Sequence, residues 1–534
     1  MNRKTLVLPA VVGLLTPLLA ACGGSGSGGK SGDAIVVGTT DRFITSKDEP
    51  ALLDPAYAYD AGSWNILRQV VQTLMAQPSS GGEPEPEAAE KCRFTDKGSE
   101  RYACTLRKDL KFSNGDPVTA ADVKFSIDRA RAINSASGVA GLLSTIDTVE
   151  TQGDSEVIFH LKTADATFPF KLSTPVAGIL NSKDYPKSKL RNGFQVDGSG
   201  PYTMQAEVQG RELVKATFTK NPNYKGTQTP KNNKVELKPF SDSAAMNTAL
   251  DKGDIDVMAR SMTPDQVTKL QNDTSGKINL VEMPGLIIRY LAFKTDAPVV
   301  KNKAVRQAMA QVIDRGELVA KVYGSQAQPL YSLVPATITG HSNSFFNKYT
   351  NPNVAKARTL LATAHITTPV KLTLHYTTDH YGAPTAKEFE VLKKQLNASG
   401  LFDVSIKGNT WDKFLPAQMK GQYDVFGMGW FPDFPDADNF LAPFLDKDNI
   451  LASPYANSEI RNTLIPQSRR EADRLAASQS ITRIQDIVAE DVPVIPLWQG
   501  KDYIATRDDI LGSEYVMSTS STLQLWELSR GVSS

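Results

Sequence analysis

The clearest pattern of apolar and polar positions lies between residues 106 and 130. Asn114-Gly115 predicts a tight turn. Thr119, followed three residues later by Asp122, is typical of the capping arrangement at a helix start. The apolar positions before the turn predict a strand, and those after the cap predict a buried helical stripe: Leu106, Leu110 and Phe112, then Val123, Ile127 and Ala130.

Helical periodicity recurs later in the chain. Asp314 and Asn351-Pro352 each predict the start of a helix. Continuous apolar runs at 34–40 and 492–498 predict buried strands. The apolar stripes of the later helices are Val305, Met309 and Ile313, then Val354, Ala357, Leu361 and Ala364, then Ile481, Ile484 and Val488. Alternation of strand and helix signals predicts α/β lobes with helices packed on sheets.

The length and charge of the chain narrow the class of protein. With 534 residues it is long enough for two large lobes. It carries 59 basic and 58 acidic residues, so no polyanion-binding surface and no nucleic-acid partner are expected.

The N-terminus has the features of an export signal. Arg3 and Lys4 precede an apolar stretch too short and too interrupted by proline to span a membrane comfortably. The stretch ends in Leu19-Ala20-Ala21-Cys22, which resembles the bacterial lipoprotein box, so residues 1–21 are predicted to be removed and Cys22 to be acylated. The alternative is an ordinary Cys22 in a freely secreted protein.

A Gly/Ser-rich segment at 22–33 predicts a flexible tether. Residues 24–31 formally match the P-loop pattern. No strand precedes them and no helical pattern follows, and the phosphate-binding role requires both. We therefore predict no nucleotide site and no cofactor.

Cys92 and Cys104 are the cysteines that remain once Cys22 is lipidated. They flank a short segment in which residues 96–99 predict a turn between two strands. Export favours a disulfide between them. The alternative is a pair of buried thiols, and no metal-type Cys/His spacing surrounds them.

Several segments together resemble one family, the extracellular solute-binding proteins of dipeptide and oligopeptide ABC importers (family 5). The matching segments, in chain order, are Leu53-Asp54-Pro55, then 106–130, 198–204, 221–226, 251–258, 291–319, 351–364, 427–440 and 493–498. The resemblance implies a two-lobed clamp of the periplasmic-binding-protein type with an extra subdomain in the N-terminal lobe. The domains that it implies are 34–288 for lobe 1 with an insertion at 60–195, 289–495 for lobe 2, and 496–534 for the return to lobe 1.

The resemblance also implies a peptide site. In the family, an Asp three residues after a Gly-Trp pair binds the peptide's ammonium, and the matching residue here is Asp433, after Gly429-Trp430. The alternative is an acidic residue in a surface turn. Trp430 and Phe431 offer flat apolar faces, and Gly429 would let a ligand approach the main chain.

Contacts from the first lobe and to the peptide carboxylate are less well marked. Tyr57 and Tyr59 are candidates for the first-lobe wall. In dipeptide-binding relatives a basic residue follows the strand that matches 371–376, whereas this chain has no Arg there. His380 is a partial substitute or a surface histidine. The alternative is that longer ligands leave their C-terminus in solvent.

An exported hydrolase is the rival class. The chain has five histidines but neither an HExxH nor a GxSxG pattern, so no enzyme and no metal site are predicted. The alternative that the sequence leaves open is a pair of carboxylates for glycoside hydrolysis, among Asp433, Asp436 and Asp438. Within the same fold, an oligosaccharide or another solute is the alternative ligand, since the aromatic residues around Trp430 would suit a sugar. The expected partners are a short peptide, the importer permease and the membrane through the lipid, with the protein itself a monomer.

Overall fold

The computed structural model describes residues 34–260, 262–447, 449–451, 453–518 and 521–531. The predicted signal peptide, Cys22 and the Gly/Ser segment lie outside these residues. Within the described part of the chain, no helix is both long and apolar enough to cross a bilayer.

The strands of the described residues are, in chain order, β1 (Ile35–Thr39), β2 (Met75–Ala76), β3 (Glu85–Pro86), β4 (Ala89–Phe94), β5 (Arg101–Leu106), β6 (Ile146–Gln152), β7 (Glu156–Leu161), β8 (Tyr202–Gln209), β9 (Glu212–Lys220), β10 (Lys234–Pro239), β11 (Val257–Ala259), β12 (Ile278–Phe293), β13 (Ala327–Pro329), β14 (Val370–Thr377), β15 (Phe402–Asn409), β16 (Val425–Trp430), β17 (Val494–Arg507), β18 (Ile510–Leu511) and β19 (Ser529–Arg530).

The α-helices of the same residues are α1 (Ala61–Val70), α2 (Ala120–Ile133), α3 (Phe168–Lys171), α4 (Ser243–Lys252), α5 (Pro264–Gln271), α6 (Lys303–Val312), α7 (Arg315–Val322), α8 (Ser344–Tyr349), α9 (Val354–Thr363), α10 (Thr385–Ala398), α11 (Trp411–Met419), α12 (Asp438–Leu445), α13 (Ile465–Arg470) and α14 (Ser478–Asp491).

One large mixed sheet runs through the molecule in the order β15-β14-β16-β12-β17-β11-β1-β10-β9-β8, with β13 beside β17. The two long central strands, β12 and β17, pair antiparallel along most of their length. Their register shifts between Pro284 and Ile288. Proline has no N–H to donate to a ladder, so an interruption there is expected. In the gap, the Gln499 side chain donates to the Gly285 carbonyl (Nε2···O 2.7 Å).

Two large hydrophobic cores lie on the two sides of this irregularity. The first core draws on residues 35–283 and 504–528. The second core draws on residues 286–498. A smaller cluster around Met246 and Tyr503 adjoins β11 and β17. The predicted α/β architecture with two lobes is confirmed, while the exact domain boundaries given above remain a prediction.

A separate four-stranded sheet, β4-β5-β7-β6, belongs to the first core. Cys92 and Cys104 are directly opposite each other on β4 and β5, and a disulfide joins them. The Asp96 carboxylate accepts backbone N–H groups in the turn between the strands, including that of Arg101 at 2.9 Å. The first core thus contains a cross-strand link at its smaller sheet.

Helix α2 forms as predicted. Thr119 donates its backbone N–H to Asp122 Oδ2 at 3.0 Å, and both halves of the capping box are present. The strand predicted just before the turn is wrong, because β5 ends at Leu106 and Asp109 has a left-handed φ of 55°. Leu110 is nevertheless buried, which explains the apolar pattern.

The helix predicted to start at Asn351-Pro352 begins later, at Val354. The Asn353 side chain accepts the Lys356 backbone N–H at 2.9 Å and therefore provides the N-cap. The late strand predicted at 492–498 is present, but it continues to Arg507, past the apolar run.

Candidate functional site

A cavity of about 630 Å³ is lined by residues adjoining both cores. Its volume lies within the roughly 300–1,000 Å³ typical of small-ligand sites. From the side of the first core come Tyr59, Trp64 and Arg68, at and before α1. From the side of the second core come Tyr323 and Trp498. A ligand in this cavity would contact both halves of the molecule.

Four of the residues singled out in the sequence line this cavity: Tyr59, His380, Phe431 and Asp433. Among the described residues, Tyr57, Gly429 and Trp430 are not part of the lining. Tyr57 donates its hydroxyl to the Asp48 carbonyl at 3.0 Å. Of the two tyrosines proposed for the first-lobe wall, only Tyr59 therefore faces the cavity.

Asp433 lies in the loop between β16 and α12. Asn439 fixes the loop twice: its Oδ1 accepts the Asp433 backbone N–H at 2.9 Å, and its Nδ2 donates to Asp433 Oδ2 at 3.0 Å. Tyr59, from the opposite side of the cavity, lies beside this carboxylate. Burial raises the pKa of Asp433, because removing a carboxylate from water disfavours its charge.

Two charge pairs fix the rest of this loop and the start of α12, and the first of them is buried. Arg474 forks onto Asp436, with Nε···Oδ2 at 2.7 Å and Nη2···Oδ1 at 3.0 Å. Arg469 does the same to Asp438, at 2.9 and 3.2 Å. These two acidic neighbours are paired with arginines, whereas Asp433 faces the cavity.

Trp430 packs inward against Phe444, with ring centroids 5.6 Å apart. It therefore supports the second core and offers no ring face to the cavity. This corrects the expectation that Trp430 is a platform for a ligand. Phe431, the next residue, does line the cavity and is 41% exposed.

Gly429 gives room to a protein side chain. It is paired with Arg289 across β16 and β12. A methyl group at Gly429 would come within 1.5 Å of Arg289 Nη1. The close approach that the sequence suggested for a ligand is therefore made by the Arg289 guanidinium.

Arg289 is a charged cavity residue that sequence reasoning missed. It is only 6% exposed, yet it lines the cavity. Its guanidinium carbon lies 3.8 Å from the ring centroid of Tyr381 and 5.3 Å from that of Trp498. The available signal was a lone charge inside the apolar run at 286–293, since buried arginines normally have a specific partner.

His380 stacks on Trp411, with centroids 3.8 Å apart and planes 4° apart. Burial and the nearby Arg289 charge lower the pKa of His380, so the ring is neutral at pH 7. A neutral ring contributes no full charge to a carboxylate. His380 therefore serves as an aromatic wall of the cavity.

Other charged groups at the cavity have partners. Arg260 Nε lies 3.2 Å from Asp41 Oδ1. Arg68 donates to the Ser173 carbonyl at 2.9 Å, and burial lowers its pKa to about 10. Asp502 accepts from the Ser521 hydroxyl, and burial raises its pKa.

The two sides of the cavity also touch away from β12 and β17. The Ala166 N–H donates to the Arg469 carbonyl at 2.7 Å. Ser99 Oγ donates to the Arg470 carbonyl at 2.9 Å. These contacts bring the end of α13 against the part of the first core that contains the four-stranded sheet.

Within the described residues, no group of three or more His, Cys, Asp or Glu side chains could hold a metal.

Comparison with known families decides the class of protein. Residues 83–451 match the model of the middle region of the bacterial extracellular solute-binding proteins, family 5. This chain belongs to that family. Its members are solute-binding proteins of transporters and not enzymes, so this family 5 protein is a binder.

Relatives cover nearly the whole family 5 chain. It is 27% identical to the oligopeptide-binding protein OppA of Bacillus subtilis (strain 168), over 96% of this chain and 97% of that protein. Its fold is similar to the unliganded open form of the murein tripeptide-binding protein MppA, with a TM-score of 0.77 and 22% identity over 94% and 98% of the chains. It is also similar to Haemophilus influenzae OppA in complex with RPPGFSPFR, with a TM-score of 0.72 and 21% identity over 94% and 99%.

Proposed function

We propose that this protein captures short peptides in the cavity between its two cores and delivers them to an ABC importer. The observation that carries the proposal is Asp433, a partly desolvated carboxylate that faces the cavity and is held in place by Asn439. Relatives named for oligopeptide binding over nearly their whole length support the same class of ligand.

The chemistry of Asp433 suits a peptide ammonium. A buried carboxylate without a cation is destabilised by desolvation, and an ammonium at this position would satisfy it. Because Tyr59 and Asp433 come from opposite sides of the cavity, a ligand there would bridge them. Ligand binding and closure of the two sides are then one event, since the bound ligand adds contacts only when the sides approach.

The membrane part of the proposal rests on the sequence. Acylation of Cys22 would hold the protein on the outer face of the cytoplasmic membrane, and the Gly/Ser segment would let it reach the permease. Cys22→Ser should abolish incorporation of labelled fatty acid and release the protein from the membrane fraction. Continued labelling of the variant would contradict the assignment.

Calorimetry with a free tripeptide and its N-acetylated form tests the peptide site. For the wild type, acetylation should weaken binding by about 3–5 kcal/mol, because it removes the cation and leaves the buried carboxylate unpaired. Asp433→Asn should bind the free peptide weakly and lose most of the acetylation penalty.

Asp502→Asn is the matched control, since Asp502 is a second carboxylate on the same cavity. It should keep the acetylation penalty. An undiminished penalty in Asp433→Asn, together with its loss in Asp502→Asn, would move the ammonium site to Asp502. Absence of any peptide binding by the wild type would refute the proposed function.

A further inference from the structure

The Arg289 side chain is a buried cation with unused hydrogen-bond donors. Nε and Nη1 have no partner among the described residues. Nη2 makes only a long contact to the Tyr381 carbonyl, at 3.4 Å. Within the described part of the chain, no carboxylate oxygen lies within 4 Å of this guanidinium. Leaving such donors unpaired away from water is energetically costly.

Another buried arginine shows how the hydrogen-bond donors of a buried guanidinium are satisfied in this protein. Arg306, also beside the second core, donates to the carbonyls of Val300, Asp491 and Val492 at 2.6–2.9 Å. Arg306 is not part of the lining of the cavity described above, and the protein itself supplies its acceptors. Arg289 lines the cavity, where a ligand can supply them.

Aromatic rings stabilise the charge of Arg289 but leave its donors free. The rings of Tyr381, Phe431 and Trp498 lie 3.8, 5.9 and 5.3 Å from the guanidinium carbon. A ring face attracts a cation but does not replace the in-plane acceptors of its N–H groups. The acceptor that matches the planar fork of a guanidinium is a carboxylate, which can take two parallel hydrogen bonds.

The neighbouring carboxyl group does not fill that role. Glu388 is buried and accepts the Tyr323 hydroxyl at 2.5 Å. Burial raises its pKa, which reduces the negative charge it can offer to Arg289 from a longer range. The positive charge of Arg289 is therefore not neutralised by direct contact within the site.

We propose that Arg289 binds a carboxylate group of the ligand whose ammonium group is bound by Asp433. This inference rests on the proposed function. It answers the question that the sequence left open, namely what replaces the basic residue missing after β14. The carboxylate can be the peptide's C-terminus or an acidic side chain, and both have the same chemistry.

The experiment compares peptides by calorimetry. A free-acid tripeptide, its C-terminal amide and an amide with one glutamate side chain are titrated into the wild type and Arg289→Gln. The wild type should bind the best carboxylate-bearing peptide about 10- to 100-fold more tightly than the plain amide, as expected for a charge-assisted hydrogen bond. In Arg289→Gln this preference should fall below about threefold.

Two further variants separate the loss of the Arg289 interaction from a general loss of folding. Gly429→Ala keeps the charge but places a methyl group where Nη1 lies, so it should also reduce the preference for a carboxylate. Arg260→Gln removes a cavity arginine that already has Asp41 as partner, so it should retain the preference. Thermal unfolding without ligand verifies that each variant is folded.

The outcomes separate the two claims. A preference for the free acid assigns the C-terminus, and a preference for the glutamate amide assigns an acidic side chain; either supports Arg289 if Arg289→Gln loses it. If Arg289→Gln and Gly429→Ala both keep the full preference, the inference is overturned while peptide binding stands. If the wild type binds peptides without any preference for a carboxylate, the inference is likewise overturned. If the wild type binds no peptide, both claims fail.

Discussion

Arg129 and Arg289 are both buried, one beside each core, but they differ in the hydrogen-bond partners of their guanidinium groups. Arg129 grips Asp54 with two hydrogen bonds, at 2.8 and 2.6 Å, and also donates to the Pro186 and Lys189 carbonyls. Arg289 has aromatic rings around it, and two of its nitrogen donors have no partner among the residues that the structure describes. The comparison separates a charge that holds the fold together from a charge kept available for a ligand.

The largest expected effect is on the free energy of unfolding, when the Arg129–Asp54 pair is broken. Arg129→Met should lower the free energy of unfolding by about 3–5 kcal/mol, because it leaves Asp54 buried without its cation. Chemical denaturation measures this loss. The double variant Arg129→Met/Asp54→Asn should recover part of it, since the stranded charge is then gone. A loss below about 1 kcal/mol in Arg129→Met would show that water replaces the guanidinium there.

The next effect concerns pH and the other charged end of the cavity. Burial raises the pKa of Asp433, and an ammonium ligand binds only its ionised form, so binding releases a proton in the range of that pKa. Affinity should be highest above the raised pKa and fall by about tenfold per pH unit below it. Calorimetry from about pH 4 to 7 measures the slope.

Asp433→Asn is the control for this pH dependence. It should give a flatter profile, because the group that titrates has been replaced by a neutral amide. A slope that is as steep in the variant as in the wild type would assign the titration to another group.

The smallest expected effect is on the unliganded stability of the Arg289 site. Arg289→Met should change the free energy of unfolding by less than about 1 kcal/mol, or raise it, since a buried cation with unpaired donors is replaced by an apolar chain. Denaturation without ligand measures this. A loss of about 3 kcal/mol, comparable to that of Arg129→Met, would erase the contrast and make Arg289 a structural residue.

Local elements were predictable where local chemistry decides them. The capping box at Thr119 and Asp122 depends on residues three positions apart, and α2 forms as predicted. Where two local signals competed, the helix formed but its predicted start was too early. Asn351-Pro352 suggested a helix start, but the Asn353 side chain provides the cap and α9 begins after it.

The candidate site was only partly predictable. Asp433 could be picked out because the family resemblance attaches to a short motif, and the structure places it on the cavity. Trp430 belongs to the same motif but packs against Phe444. Motif membership cannot say which face of a strand a side chain occupies, since residues on alternate faces stand next to each other in sequence.

The sequence by itself determined the α/β class, the capping box of α2 and the acidic residue after the Gly-Trp pair, because each depends on local periodicity or on a contiguous motif. It also determined the family, through the order of several short segments along the chain. Only the tertiary structure decided that Arg289 meets Gly429 and that Tyr59 meets Asp433. Arg289 and Gly429 are 140 positions apart in the chain and become neighbours through the pairing of β12 with β16. Such meetings follow from strand register and core packing, which single-sequence patterns do not encode.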